Sequence, residues 1–310
     1  MIALALAAAL LASPPTLLRA DPFSSAMATR SRPMTFTAPP NGPLIFRGAI
    51  AIHPPELRFG GISGLTMEGP RSVLAITDSG DWIRFELDLV GGRLVGVGAV
   101  RIAPILGAKG EPAPRGARDA EDLTRDPETG QVWVSFEGYH RIWEFAEPGG
   151  PASRTIRHPA WAQLNENNGI ESLARAPDGG LWAIGEAASD GRFTAWVNQG
   201  PDWEMKTLPQ RGPFAPTGAA FGPNGYLYVT ERAFSFTAGF RFRLRRFKWG
   251  AEPEPRLEEE LISLGAETAI DNIEGVTLWR ENGRTFLLIA SDDNFMPFER
   301  NVLALFEVTR

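Results

Sequence analysis

Ten positions, two in each of five similar segments, hold the side chains best placed to do chemistry. The first set is Ser63, Glu121, Glu171, Thr217 and Glu274. The second, 14 to 18 residues further on in each segment, is Asp78, Glu137, Glu186, Glu231 and Asp292. Eight of the ten are acidic and the other two carry hydroxyls. Carboxylates gathered in one space repel and desolvate one another, so the pattern calls for a compensating charge. A hard cation held by oxygens is the simplest one, and Ca²⁺ suits a donor set without sulfur or imidazole. Asn167-Asn168, Asp271-Asn272 and Asp292-Asp293-Asn294 would add oxygen donors. The same acids also read as structural, since carboxylates at strand ends accept backbone N–H bonds and tie neighbouring elements together. Basic partners are few. Arg118, Arg232 and Arg300 stand near the two sets, and each reads as an ion-pair arginine or as a contact for an anionic ligand.

Composition removes other chemistries. There is no cysteine, which excludes disulfides, thiolate metal sites and cysteine nucleophiles. Three histidines, His53, His140 and His158, show no ligand spacing, so a histidine-built zinc site is not expected. A net charge of −6 offers no basic face for nucleic acid. Only three of the 31 basic residues are lysines (Lys109, Lys206 and Lys248). No Gly-x-Ser-x-Gly elbow, P-loop or dinucleotide fingerprint stands in a strand-to-helix context.

The elements that position the acids are strands. Each segment runs as a short strand, a turn with Gly and Asp, Asn or Glu, and an apolar strand: 61–78, 120–137, 170–186, 216–231 and 273–292. That is a hairpin grammar. Third strands follow at 82–87, 141–145, 193–197, 241–247 and 302–308, with looser fourth strands such as 93–102 and 153–157. Four-stranded units repeating at about fifty residues are the sequence form of propeller blades. The fold expected is all-β: a single β-propeller of about five blades, with a sixth, degenerate one able to hide in 96–116 or 233–264. The last unit lacks its outer strand, and the lone strand 44–52 would pair with it and remove an open edge. In such blades the first strand starts and the second ends on one face of the disc, so both acidic sets are expected around one mouth of the channel.

Ile2 to Ala12 is an unbroken apolar run, too short to span a bilayer and of the length of a signal-peptide core. Ala26-Met27-Ala28 offers a small-x-small cleavage site, although no Lys or Arg precedes the run. The expected organisation is a leader over 1–28, an extended linker over 29–43 and one propeller domain over 44–310. The mature chain is expected to be periplasmic or secreted, without a membrane span, and monomeric.

Ile170-Glu171-Ser172-Leu173, Ile273-Glu274-Gly275-Val276, Arg118-Asp119-Ala120-Glu121-Asp122-Leu123 and Leu181-Trp182-Ala183-Ile184-Gly185-Glu186 together resemble the phytase-like family of exported bacterial propellers, also labelled "esterase-like activity of phytase". The resemblance spans about residues 44 to 308 and implies a calcium-dependent propeller acting on phosphate or carboxylate esters. Ser63 and Thr217 depart from the acidic pattern. The scarcity of lysine also sets the chain apart from phytate-hydrolysing propellers, whose cleft is strongly basic. The leading expectation is a metal-dependent hydrolase of a small anionic or ester substrate. Glu121, Glu171, Glu274 and Asp292 would be the Ca²⁺ ligands, Glu186 the general base and Arg232 an anion contact. A lactonase of the gluconolactonase type and a non-enzymatic binding propeller with a purely structural acidic ring are the alternatives.

Overall fold

The computed structural model describes residues 21–35, 42–53, 58–165, 168–199, 202–237, 239–265, 272–292 and 301–309. Two strands lead, β1 (Arg30–Met34) and β2 (Leu44–His53). Blade one holds β3 (Ile62–Met67), β4 (Ser72–Thr77), β5 (Asp81–Val90), β6 (Arg93–Val97) and β7 (Arg101–Pro104); blade two holds β8 (Ala120–Arg125), β9 (Val132–Phe136), β10 (Arg141–Phe145) and β11 (Arg154–Ile156). Blade three is β12 (Ile170–Arg175), β13 (Leu181–Ser189), β14 (Arg192–Asn198) and β15 (Trp203–Pro209). Blade four is β16 (Ala215–Phe221), β17 (Leu227–Ser235), β18 (Gly239–Trp249) and β19 (Pro255–Leu264). Blade five adds β20 (Ile273–Glu281), β21 (Arg284–Ser291) and β22 (Asn301–Val308). The innermost strands β3, β8, β12, β16 and β20 each contact the next, and β20 returns to β3, which closes a five-bladed ring.

The two stretches able to hide a sixth blade are absorbed. β7 pairs with the start of β5 and β6 with its end, so blade one has a split outer strand; 233–264 forms β17 to β19. β2 pairs antiparallel with β22 from Leu44↔Val308 to Ile52↔Asn301, the expected closure of the last blade by an N-terminal strand. Within the stretch expected as linker, β1 adds a further strand outside β2. The leader expectation falls largely on 1–20, outside the described residues. Its described end lies on blade one, where Phe23 is buried and Met27 exchanges backbone hydrogen bonds with Val100 at 2.8 Å.

Local chemistry explains the elements. The second strand of each blade is apolar along its length, as in Val132–Phe136 and Ser72–Thr77, because both of its faces are covered by neighbouring blades. Asn282-Gly283 makes a two-residue hairpin, both residues left-handed (φ 50° and 77°), the pair a type I′ turn requires. Apolar clusters fill the spaces between blades, for example Trp82, Phe136 and Phe145 between blades one and two.

Candidate active site

Each innermost strand pairs with its neighbour in a register that slips by one residue at the same place. The slips fall between Ile62 and Gly64, Ala120 and Leu123, Ile170 and Ser172, Pro216 and Gly218, and Ile273 and Gly275. Ser63, Glu171, Thr217 and Glu274 lie inside four of the slips, and Glu121 with Asp122 inside that of blade two. The first set is therefore a ring of β-bulges, the backbone device that re-aims a side chain away from the pleat. Glu121 feels the charges of Glu171 and Glu274, and Glu171 feels that of Glu274. Ser63 and Thr217 act structurally, donating to the backbone carbonyls of Ala120 (2.5 Å) and Ile273 (2.8 Å) in the next blade.

The residue after the bulge closes the channel. Gly64, Ser172, Gly218 and Gly275 are small because the inner strands nearly touch: a Cβ on Gly218 would lie 2.0 Å from the Glu274 carbonyl oxygen. Blade two has Asp122 at this position, and its buried carboxylate sits in the space the small residues leave. It accepts backbone N–H bonds from Leu123 (2.8 Å), Leu173 (2.8 Å) and Ala219 (3.1 Å), tying blades two, three and four together beneath the acidic mouth. Burial raises its carboxyl well above the usual range, opposed by those three bonds.

The second set closes each inner hairpin. The backbone N–H groups of Asp78, Glu137, Glu186 and Asp292 bond to Gly61, Asp119, Gly169 and Asn272, the residues preceding the bulged strands. In blade four the register gives this place to Arg232, opposite Ala215, while Glu231 lies opposite Pro216. Glu231 is one residue out of the column expected from sequence, and a one-residue offset turns a side chain to the other face of the strand. It is fully buried between Arg243 (2.6 Å) and Arg245 (2.8 Å), inside blade four.

Arg232 instead faces the mouth. Its Nη1 donates to Glu274 Oε1 at 2.8 Å and to the Asn272 side-chain carbonyl. Asp292, expected as a ligand, is buried, its backbone N–H on Asn272 at 3.0 Å and its carboxylate accepting from the Asn272 amide at 3.3 Å. Arg118 packs against Gly80. Asn167, Asp271, Asp293, Asn294 and Arg300 lie outside the described residues.

Among the described residues, Asp119, Glu121 and Glu137 form a group of acids, each with a carboxylate oxygen within 4.8 Å of the others. Asp119 occupies the position just before the bulged strand, a third register column that sequence spacing did not single out. Burial drives the Glu121 carboxyl well above its usual range, helped by the charges of Glu171, Asp119, Glu274 and Glu137. Burial does the same to Glu171, with Glu186, Glu137 and Glu274 adding to it and Arg232 opposing. Glu137 rises to about 7 through burial and the charges of Asp119 and Glu186. Glu274 also reaches about 7 through burial, even with Arg232 and the Asn272 hydrogen bond pulling it down. Burial raises Glu186, again against Arg232. These acids are short of positive charge, and their donors are all oxygens, the set a hard divalent cation takes. Asp119, Glu121 and Glu137 are close enough to share one ion.

A family model described as phytase-like, with esterase-like activity of phytase, matches residues 57–295. The chain belongs to the phytase-like family. Solved propellers share low identity with this phytase-like protein. A luciferin-regenerating enzyme is 14% identical over 80% of this chain and 78% of its own, with a TM-score of 0.42. A structure assigned as a gluconolactonase is 13% identical over 93% and 94%, with a TM-score of 0.45. A glucose dehydrogenase is 12% identical over 85% and 98%, with a TM-score of 0.41. No curated protein matches. Among the described residues no helix is long and apolar enough to cross a membrane.

Proposed function

We propose that the acidic mouth is the active site of a metal-dependent hydrolase of ester or phosphoester bonds, with Ca²⁺ as the metal. The observation that carries this reading is the convergence of Asp119, Glu121 and Glu137 oxygens within 4.8 Å, inside a larger set of carboxylates lifted by burial and mutual repulsion. Those three residues would hold the ion, with Glu171 and Glu274 beside them. A bound Ca²⁺ would supply positive charge to the substrate oxygen and acidify a water molecule. The chain supplies the rest. Glu186, its basicity raised by burial, takes the proton of water as it adds to the acyl carbon or phosphorus. That proton then passes to the leaving oxygen as the ester bond breaks. Arg232, within electrostatic reach of Glu171, Glu186 and Glu274, would contact an anionic substrate group. A periplasmic or secreted location is part of the proposal and rests on the apolar run Ile2 to Ala12.

The test combines calorimetric titration with Ca²⁺ and a panel of nitrophenyl esters, phosphodiesters and aliphatic lactones, assayed with and without chelator. Ca²⁺ binding together with chelator-sensitive turnover supports the reading. The preferred leaving group separates ester, phosphoester and lactone hydrolysis. Protein that binds no Ca²⁺ and turns over nothing would instead be a binding propeller with a structural ring of acids.

A further inference from the structure

The β17–β18 hairpin of blade four is longer than its surroundings on the mouth side. Its inner neighbour β16 starts opposite Arg232 and its outer neighbour β19 ends opposite Phe242, yet the hairpin ladder continues to Ser235↔Gly239. The pairs Phe234↔Phe240 and Ser235↔Gly239 therefore run past the paired ends of both neighbours. It carries Phe234, Phe236 and Phe240, with ring centroids 5.5 Å apart for Phe234–Phe236 and 4.8 Å for Phe234–Phe240. Phe236 is 99% exposed and Phe234 53%. Strand alternation puts Phe234 on the same face as Arg232, about 7 Å further along. Phe240 is the cross-strand partner of Phe234. The aromatic cluster is thus continuous with the arginine that bonds Glu274.

We propose that this hairpin is the specificity wall of the site, receiving the apolar acyl or aryl group of an ester or phosphoester whose polar bond lies over the carboxylates. The inference rests on the hydrolase reading above and names its substrate class. Contiguous exposed apolar side chains mark binding surfaces, and small-molecule sites pair an apolar wall with a few polar groups. The size of the patch points to a small occupant. Three phenylalanines fully exposed would offer at most about 750 Å², and with Phe234 only half exposed and Phe240 less than that, the patch falls short of the roughly 800 Å² per partner that a stable dimer buries. The order of elements then sets the order of the substrate: anionic or ester end at Arg232 and the carboxylates, apolar group outward along the hairpin.

Calorimetry with methylphosphonate and hexylphosphonate, in Ca²⁺, reads the wall without needing turnover. A methylene fully removed from water strengthens binding about fourfold. The five extra methylenes, lying on a partly open wall, are expected to tighten wild-type binding at least tenfold. In Phe234→Ser/Phe236→Ser/Phe240→Ser that preference is expected to fall below threefold while methylphosphonate affinity holds. Phe236→Ser alone, at a fully exposed position that folding does not depend on, is expected to lose part of it. Equal binding of the two phosphonates by wild type with ester turnover intact would overturn the wall and leave the hydrolase reading standing. Neither binding nor turnover would overturn both. A triple variant that loses self-association or vesicle binding, with the chain-length preference unchanged, would assign the tip to a second copy or a lipid surface and also overturn the wall.

Discussion

Arg232 of blade four donates to Glu274 of blade five at 2.8 Å, across the boundary between two blades and into a ring of acids. The pair is partly buried, and Arg232 opposes the rise of the Glu171, Glu186 and Glu274 carboxyls. Arg232→Gln is therefore expected to push the ring acids further toward the protonated form. Metal-free protein at pH 7 should lose about 2 kcal/mol, on the scale of one partner removed from a partly shielded ion pair. Urea unfolding at pH 7 and at pH 5 checks this, and the loss should be smaller at pH 5, where Glu274, with its carboxyl at about 7, is protonated.

Stability without metal should fall as pH rises. Glu137 and Glu274 have folded pKa values of about 7, above their ordinary 4.5, so between these values the folded state binds more protons than the unfolded chain. Stability contributed by these groups is then present below about pH 4.5 and lost as pH climbs through about 7. Thermal melts in chelator from pH 5 to pH 8 should show a declining Tm, and Ca²⁺ should restore most of it at the alkaline end.

Much of this was legible in the chain. The hairpin grammar reports five blades and the N-terminal closure, because each inner hairpin is specified by local residues such as Asn282-Gly283, but it left room for a sixth that the outer strands of blades one and four absorb. The first acidic column was equally visible. Its cause was not: a bulge is a pairing event between strands, so no feature of Glu121 or Glu171 alone announces it. The same limit explains Glu231. Spacing placed it in the second column, whereas the pairing Ala215↔Arg232 shows that Arg232 holds that place and Glu231 faces Arg243 and Arg245. Asp119 escaped notice because its counterparts in blades one, three and four, Gly61, Gly169 and Ala215, carry no functional group.

The buried position of Glu231 gives a control. Glu231→Gln leaves Arg243 and Arg245 without their shared carboxylate and is expected to cost about 3–5 kcal/mol. Calcium affinity should stay within about twofold of wild type, since the side chain faces away from the mouth. Denaturant unfolding and calorimetry on one preparation read both quantities.

Asp122 tests the closure of the channel. Asp122→Ala strands three buried backbone N–H groups, at about 1–3 kcal/mol each, so a loss of about 4 kcal/mol is expected. Gly218→Ala should also be severe, because its Cβ would meet the Glu274 carbonyl at 2.0 Å and displace a ring acid. Gly225→Ala, in open space with φ of 73°, should cost only about 1 kcal/mol. Urea midpoints of the three variants rank them.

The central claim is that the carboxylates at the mouth hold a cation that hydrolysis needs. Calorimetric Ca²⁺ titration of wild type and Glu121→Gln tests it most directly, with the ester panel run on the same samples. Wild type should bind Ca²⁺ and lose turnover in chelator. Glu121→Gln should bind at least tenfold more weakly and hydrolyse at least a hundredfold more slowly, while in chelator it melts no lower than wild type, since the substitution removes one of several repelling charges. Equal Ca²⁺ affinity in the two proteins, or turnover untouched by chelator, would contradict the account.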